Sequence, residues 1–284
     1  MGNDVLLRCF RLCDSPALGV RDIESAYGYG GPLSTTADPE FLSAARDAFT
    51  QWARARGVLA EFLRFHPLVP HERWYSGDVA FNRTTVHVDL AEDLFQQYPT
   101  RTRTCIRQYR AGGLAMERVS SEVMRSVFPG MYESNMEHAG ASSEYHFPLR
   151  YLEALFEFCE CDNWLVFMRG KPVAGAVVLA SSVAGVAEYH LSARVLGLER
   201  SRAMPGLIHG MAEYYQSRSF RYLYLGGGRS VGDQDSLLFF KKGFSQSTAP
   251  YRIGHQVFAA DVYDEMRVRF PERAASGRVL FYRD

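Results

Sequence analysis

The stretch from Tyr222 to Phe244, YLYLGGGRSVGDQDSLLFFKKGF, constrains this chain more than any other. A short apolar run, Tyr222-Leu223-Tyr224-Leu225, reads as a strand and ends in Gly226, Gly227 and Gly228. Glycines at the end of a strand let another backbone, or a ligand, approach where a Cβ would collide. Asp233 and Asp235 then precede Leu237, Leu238, Phe240, Lys241 and Phe244, a pattern suited to a helix capped by a carboxylate. Strand, glycine loop and capped helix together predict the floor of a small-molecule site. The basic residues sharpen this reading. The chain has only three lysines, Lys171, Lys241 and Lys242, and two of them sit side by side here.

The rest of the chain predicts an alternation of strands and helices. Strands are expected at 5–12, 58–65, 84–90, 114–119, 164–169, 173–180, 186–193 and 253–260, from apolar runs and period-two alternation. Helices are expected at 39–56, 91–98, 101–111, 121–137, 148–160, 207–218 and 262–269, the first opened by Pro39 and closed by Gly57. Ala26 to Pro32, a tyrosine and glycine run, is expected to be irregular. The cycle restarts near Ser120. This predicts an α/β (α+β) chain of two domains, 1–119 and 120–284, each a mixed sheet flanked by helices.

Composition closes several routes. No run approaches the roughly 18 apolar residues of a membrane span, and the first ten residues carry Asp4 and Arg8, so a cytoplasmic protein is expected. Five cysteines, Cys9, Cys13, Cys105, Cys159 and Cys161, lack the pairing and nearby histidines of common zinc modules. No metal or cofactor is expected. A formal net charge of zero argues against a binder held on nucleic acid by global charge, though it permits a local basic patch.

Leu225-Gly226-Gly227-Gly228, then Asp235-Ser236-Leu237, Phe240-Lys241 and Gly243-Phe244, resemble the FemABX-like branch of the GNAT acyltransferases. The resemblance implies two tandem GNAT-like domains. It also implies transfer of an aminoacyl group from aminoacyl-tRNA to an amine, as in the peptidoglycan-precursor enzymes of that branch. Relatives act on smaller acceptors in antibiotic biosynthesis, and others are N-acetyltransferases using acyl-CoA. In such enzymes the donor lies between two neighbouring parallel strands that diverge, here 186–193 and 222–225. The matching Phe-Lys pair implies that Lys241 stabilises charge at the reacting carbonyl. Phe240 is then expected against the aminoacyl group or the terminal adenosine.

Further candidates come from the residues themselves. Gly226, Gly227 and Gly228 offer amides or room for the donor, and Arg194, Arg200 and Arg202 precede a helix whose N-terminus attracts anions. In an acyl-CoA enzyme that loop would hold a pyrophosphate. It departs from the common acetyl-CoA signature, however, because Glu199 stands where a small residue belongs. Glu188 and His190 share one face of a strand and are candidate proton acceptors. Arg103, Arg107 and Arg110 share a helical face in a run without acids, a candidate contact for tRNA phosphates, with Tyr109 available for stacking. For the acceptor, the residues are Tyr27 and Tyr29 in the glycine loop, and Asn135, His138 and Tyr145 in a stretch similar to one bordering the family's acceptor site. Three readings remain open: a tRNA-dependent aminoacyltransferase acting on a small amine or peptide, an acyl-CoA-dependent N-acetyltransferase, and a non-catalytic ligand-binding relative.

Overall fold

The structure, a computed structural model, describes residues 4–229 and 235–283. Asp233, expected as a helix cap, lies outside the described residues. The chain begins with β1 (Leu6–Cys9), β2 (Arg11–Ser15), β3 (Val20–Glu24), β4 (Gly31–Ser34), α1 (Pro39–Ala55), β5 (Val58–Arg64) and β6 (Asp78–Asp89). It continues through α2 (Leu94–Gln97), α3 (Thr100–Ala111), β7 (Leu114–Arg118), α4 (Ser121–Ala139), α5 (Leu149–Glu157), β8 (Cys161–Met168) and β9 (Lys171–Ser181). It ends with β10 (Val186–Arg194), α6 (Ala203–Ser217), β11 (Tyr222–Gly227), α7 (Ser236–Lys242), β12 (Thr248–Val257), α8 (Ala260–Arg269) and α9 (Pro271–Ala274).

Contacts divide the chain into two compact units. One holds the residues up to Thr84 together with those from Ala249 onward; the other is Thr85–Thr248. The boundary expected at residue 119 does not coincide with this division. β7 lies against β8 in antiparallel register, from Leu114 opposite Met168 to Arg118 opposite Trp164. The last strand, β12, pairs with β5, placing Ile253 opposite Arg64.

In the first unit the strand order is β2-β3-β5-β12-β6. β2 and β3 are antiparallel, β3 and β5 parallel, β5 and β12 antiparallel, so the sheet is mixed. β5 is apolar at nearly every position because both faces are covered. Val58 and Leu63 pack with Phe49, Trp52 and Ala53 of α1, whereas Leu59 and Ala60 pack with Tyr263 and Met266 of α8. Its one acid, Glu61, is fully buried and takes two 2.8 Å bonds from the Arg8 guanidinium. That fork is needed, since a carboxylate buried without its partner costs about 3–5 kcal/mol. The glycine and tyrosine run is not wholly irregular. Gly31 and Pro32 open β4, which pairs with β1 as a separate two-stranded sheet.

In the second unit the order is β6-β11-β10-β9-β8-β7. Only β10 and β11 are parallel; the other neighbours run antiparallel. Alternation along these strands feeds two cores. Val86, Val88, Ala187, Leu223 and Leu225 meet Leu207, Ile208 and Met211 of α6 on one face. Leu165, Val177, Leu191 and Ala193 meet Met124 and Phe128 of α4 and Leu152 and Phe156 of α5 on the other. Ser120 caps α4 by accepting from the Val123 amide, and Gly140 ends it in the left-handed conformation. No described helix is long and apolar enough to cross a membrane, and all five cysteines are free thiols.

Candidate functional site

The parallel pair β10 and β11 stays in register for only three residues: Val186 faces Tyr222, Ala187 faces Leu223 and Glu188 faces Tyr224. Beyond them β10 continues to Arg194 against β9 alone. Both strands carry an irregularity at that point. On β10, Tyr189 and Leu191 face consecutive residues of β9, so His190 is the extra residue of a bulge. On β11, Tyr224 and Gly226 face consecutive residues of β6, and Leu225 is the extra one. A bulge bends its strand and increases local twist. Two bulges at one level explain why the strands part.

The three glycines end β11 in three different ways. Gly226 has φ of +77°, a conformation that side chains disfavour, and it comes directly after the bulge. The Gly227 carbonyl accepts a 2.8 Å hydrogen bond from Lys241 Nζ. A Cβ on Gly228 would stand 2.5 Å from Cγ of Asp235, so glycine is required for that approach. Asp235 is buried and orders the start of α7: Oδ1 accepts from the amides of Leu237 and Leu238, both at 2.9 Å, and Oδ2 from Arg229 at 2.6 Å. The expected cap is therefore present.

Lys241 is 8% exposed, on α7, with its ammonium brought to the end of β11. Taking an ammonium out of water costs several kcal/mol, and a hydrogen bond to a charged group returns about 1.5–3 kcal/mol. The Lys241 ammonium is thus held at the end of β11 by the capped helix and by the glycine carbonyl. Lys242, one residue on, is only half-buried. Phe240 is half-buried too, edge-on to Phe244 at 5.4 Å and packed into the core beneath the sheet.

A second group lines β10 just past its last pairing with β11. His190, whose side chain is 4% exposed, has Nδ1 3.4 Å from Oε1 of Glu188 and Nε2 3.2 Å from the hydroxyl of Tyr151 on α5. Burial first, then the charge of Glu188, pushes the Tyr151 hydroxyl up to about 12. It therefore stays protonated near neutrality, and the hydroxyl and the carboxylate of Glu188 hold the imidazole from its two nitrogens. Tyr151 stacks on Phe147 at 4.6 Å, and Phe147 lies 5.9 Å from Tyr132. Sequence reasoning paired Glu188 with His190 but missed Tyr151, which comes from a helix far away in the chain and reads only as part of an apolar face.

The remaining candidates fall in different places. Asn135 is a clamp on the end of β10: its side chain donates to the Arg194 carbonyl at 2.6 Å and accepts from the Arg194 amide at 3.3 Å. His138 is exposed on α4, and Tyr145 is partly exposed, its carbonyl accepting from the Tyr132 hydroxyl. Tyr27 and Tyr29 belong to the first unit, where Tyr29 lies edge-on to His66 at 5.1 Å and Tyr251 at 5.6 Å.

In the loop after β10, Arg194 lies 3.4 Å from Glu199, whose carboxylate also accepts from the Gly197 amide at 3.2 Å. Its own amide and that of Gly197 hold the Glu199 carboxyl below the usual carboxylate range, and Arg194 adds to this. Arg202 precedes α6 in a left-handed conformation and donates to Gln108 of α3 at 3.0 Å; Arg200 lies in the short 3-10 turn before it. The arginines of α3 do not act alike. Arg107 is exposed and Arg103 reaches Thr100, but Arg110 turns to α6, bonding Glu213 at 2.9 Å and His209 at 3.0 Å. Tyr109, expected to be available for stacking, packs against the core with its ring over Gly206 of α6. Among the described residues no group of His, Cys, Asp and Glu is arranged to hold a metal ion.

No family model matches the sequence, and no curated protein matches it. Solved structures do resemble it. FemX is 13% identical, covers 90% of this chain and 85% of its own, and superposes with a TM-score of 0.70. L-PGS from Bacillus licheniformis is 10% identical, with 87% and 80% covered and a TM-score of 0.62. A conserved protein of unknown function from Bacteroides thetaiotaomicron is 10% identical, with 84% and 79% covered and a TM-score of 0.58. At such identities the likeness is one of fold. The fold is that of FemX, with two units, each a mixed sheet flanked by helices.

Proposed function

We propose that this protein is an N-acyltransferase that takes an aminoacyl group from aminoacyl-tRNA and forms an amide on a small amine or peptide-like acceptor. The observation that carries the reading is Lys241, buried on α7 with its ammonium on the Gly227 carbonyl at the end of β11, three residues beyond that strand's last pairing with β10. The resemblance to the FemABX-like branch supplies the donor class, and the FemX fold supports it. No metal or organic cofactor enters the reading.

The chemistry needs position and charge. The acceptor nitrogen attacks the ester carbonyl carbon; a C–N bond forms and the carbonyl oxygen takes negative charge. Lys241 stands as the donor that stabilises this oxyanion, in a site held in place before the reaction begins. The proton that the nitrogen must lose passes, directly or through a water, to Glu188 or His190, which meet at 3.4 Å, with Tyr151 against the other ring nitrogen. The C–O bond to the ribose then breaks, and the ribose oxygen leaves with a proton as a hydroxyl. The small-acceptor reading rests on the absence of any extended heptad-like segment in the sequence.

Glu199 favours this reading over an acyl-CoA donor. Its carboxylate occupies the Gly197 amide and the Arg194 guanidinium, the groups a pyrophosphate at that loop would need. The test is binding of a charged acceptor-stem minihelix and of acetyl-CoA in parallel. The expected result is salt-dependent minihelix binding with none to acetyl-CoA. Binding to acetyl-CoA alone would make the protein an acyl-CoA-dependent enzyme. Binding to neither, with acceptor present, would point to a non-catalytic relative.

A further inference from the structure

α7 has an outward face that the proposed catalytic arrangement does not use. Leu238 is buried, Phe240 packs into the core and Lys241 reaches β11, but Phe239 between them is 65% exposed. An apolar side chain standing alone in water needs no explanation of its own. What gives this one meaning is its neighbour. The Arg101 guanidinium carbon lies 5.7 Å from the centre of the Phe239 ring, and among the described residues Arg101 makes no ion pair. Arg101 lies in the first turn of α3, a helix without a single acid. Seven residues along, on the same side of α3, Gln108 holds Arg202 at 3.0 Å. Two guanidinium groups, those of Arg101 and Arg202, therefore lie on one side of α3 at positions about 10 Å apart along its axis.

An exposed aromatic ring beside an arginine without an ion pair matches the chemistry of an unpaired nucleotide: a flat base to stack, a phosphate to pair. The other aromatic residues expected to stack are taken, Tyr109 by α6 and Phe240 by the core. We infer that Phe239 and Arg101 form a stacking platform for a base in the single-stranded 3′ end of the donor RNA, with Arg202 on the neighbouring phosphates. This rests on the tRNA-dependent reading above and adds to it the surface that receives the unpaired end.

Two RNA probes test it: an acceptor-stem minihelix with a single-stranded 3′ tetranucleotide, and the same duplex with a blunt end. The wild-type protein should bind the first more tightly. Phe239→Ala should weaken binding of the overhang probe by about 5- to 150-fold, the range for loss of one base–aromatic stack. Blunt-duplex binding should be unchanged, and Phe239→Trp should keep the preference. Arg101→Ala should lower the salt slope for the overhang probe by about one. If Phe239→Ala binds the overhang as the wild type does, or loses both probes equally, the platform is wrong. If the wild type binds both probes alike, the platform fails while the donor reading stands; if it binds neither, both fall.

Discussion

His190 shows how much one residue of register decides. Its position beside Glu188 results from strand alternation, and both were legible as candidate proton acceptors. That His190 is the extra residue of a bulge was not legible, because a bulge depends on the partner strand β9. Nor was Tyr151, since nothing in its own helix announces a bond to a strand reached some forty residues later. If His190 takes the proton, His190→Gln should slow amide formation by about 10²-fold. Tyr151→Phe should slow it less, since the imidazole keeps its place beside Glu188 and loses only its orienting hydroxyl. Rates that match the wild type in both variants would assign the group to the core. Asn135 carries the opposite lesson. A polar side chain in a stretch that resembles an acceptor border spends its hydrogen bonds on the Arg194 main chain.

At the scale of elements, the strand, glycine turn and capped helix of 222–244 were legible because each signal is local. Tyr222 to Leu225 alternate into a core, Asp235 accepts from its own helix, and Gly228 leaves room for that carboxylate. The outward face of α7 was not legible. Leu237, Leu238, Phe239 and Phe240 are consecutive apolar residues, so no stripe shows which of the two phenylalanines meets water. The same limit hid β4. Glycine and proline mark a turn by local preference, yet Gly31 and Pro32 join a strand whose partner lies more than twenty residues upstream. Asp235 links this element to the chemistry. Asp235→Ala removes the acceptor for two helix amides and that of Arg229. It should cost about 1–2 kcal/mol in chemical denaturation. Because α7 carries Lys241, transfer should slow as well, while Asp235→Asn should recover much of both. Unchanged stability in Asp235→Ala would show that α7 is held by its core side chains alone.

At the scale of the whole molecule, the alternation of strands and helices was readable and the division of the chain was not. Local patterns restart near Ser120, and Ser120 is indeed a helix cap. But β7 pairs forward with β8, and β12 returns to β5 across nearly two hundred residues. Pairing of that kind leaves no trace in the periodicity of either strand. The contacts accordingly group 85–119 with residues 120–248, and 249–284 with residues 1–84. The proposed chemistry falls within the second unit, where Lys241, the split strands and His190 all reside. The measurement that tests it most directly is single-turnover transfer from charged tRNA to an amine, comparing Lys241→Ala with Lys242→Ala. The two substitutions remove the same charge from adjacent residues of one helix, so only position separates them. Transfer should fall by about 10²-fold or more in Lys241→Ala, with the fold intact, and stay near wild type in Lys242→Ala. Equal rates in the two variants would contradict an oxyanion-stabilising role for the lysine at the split.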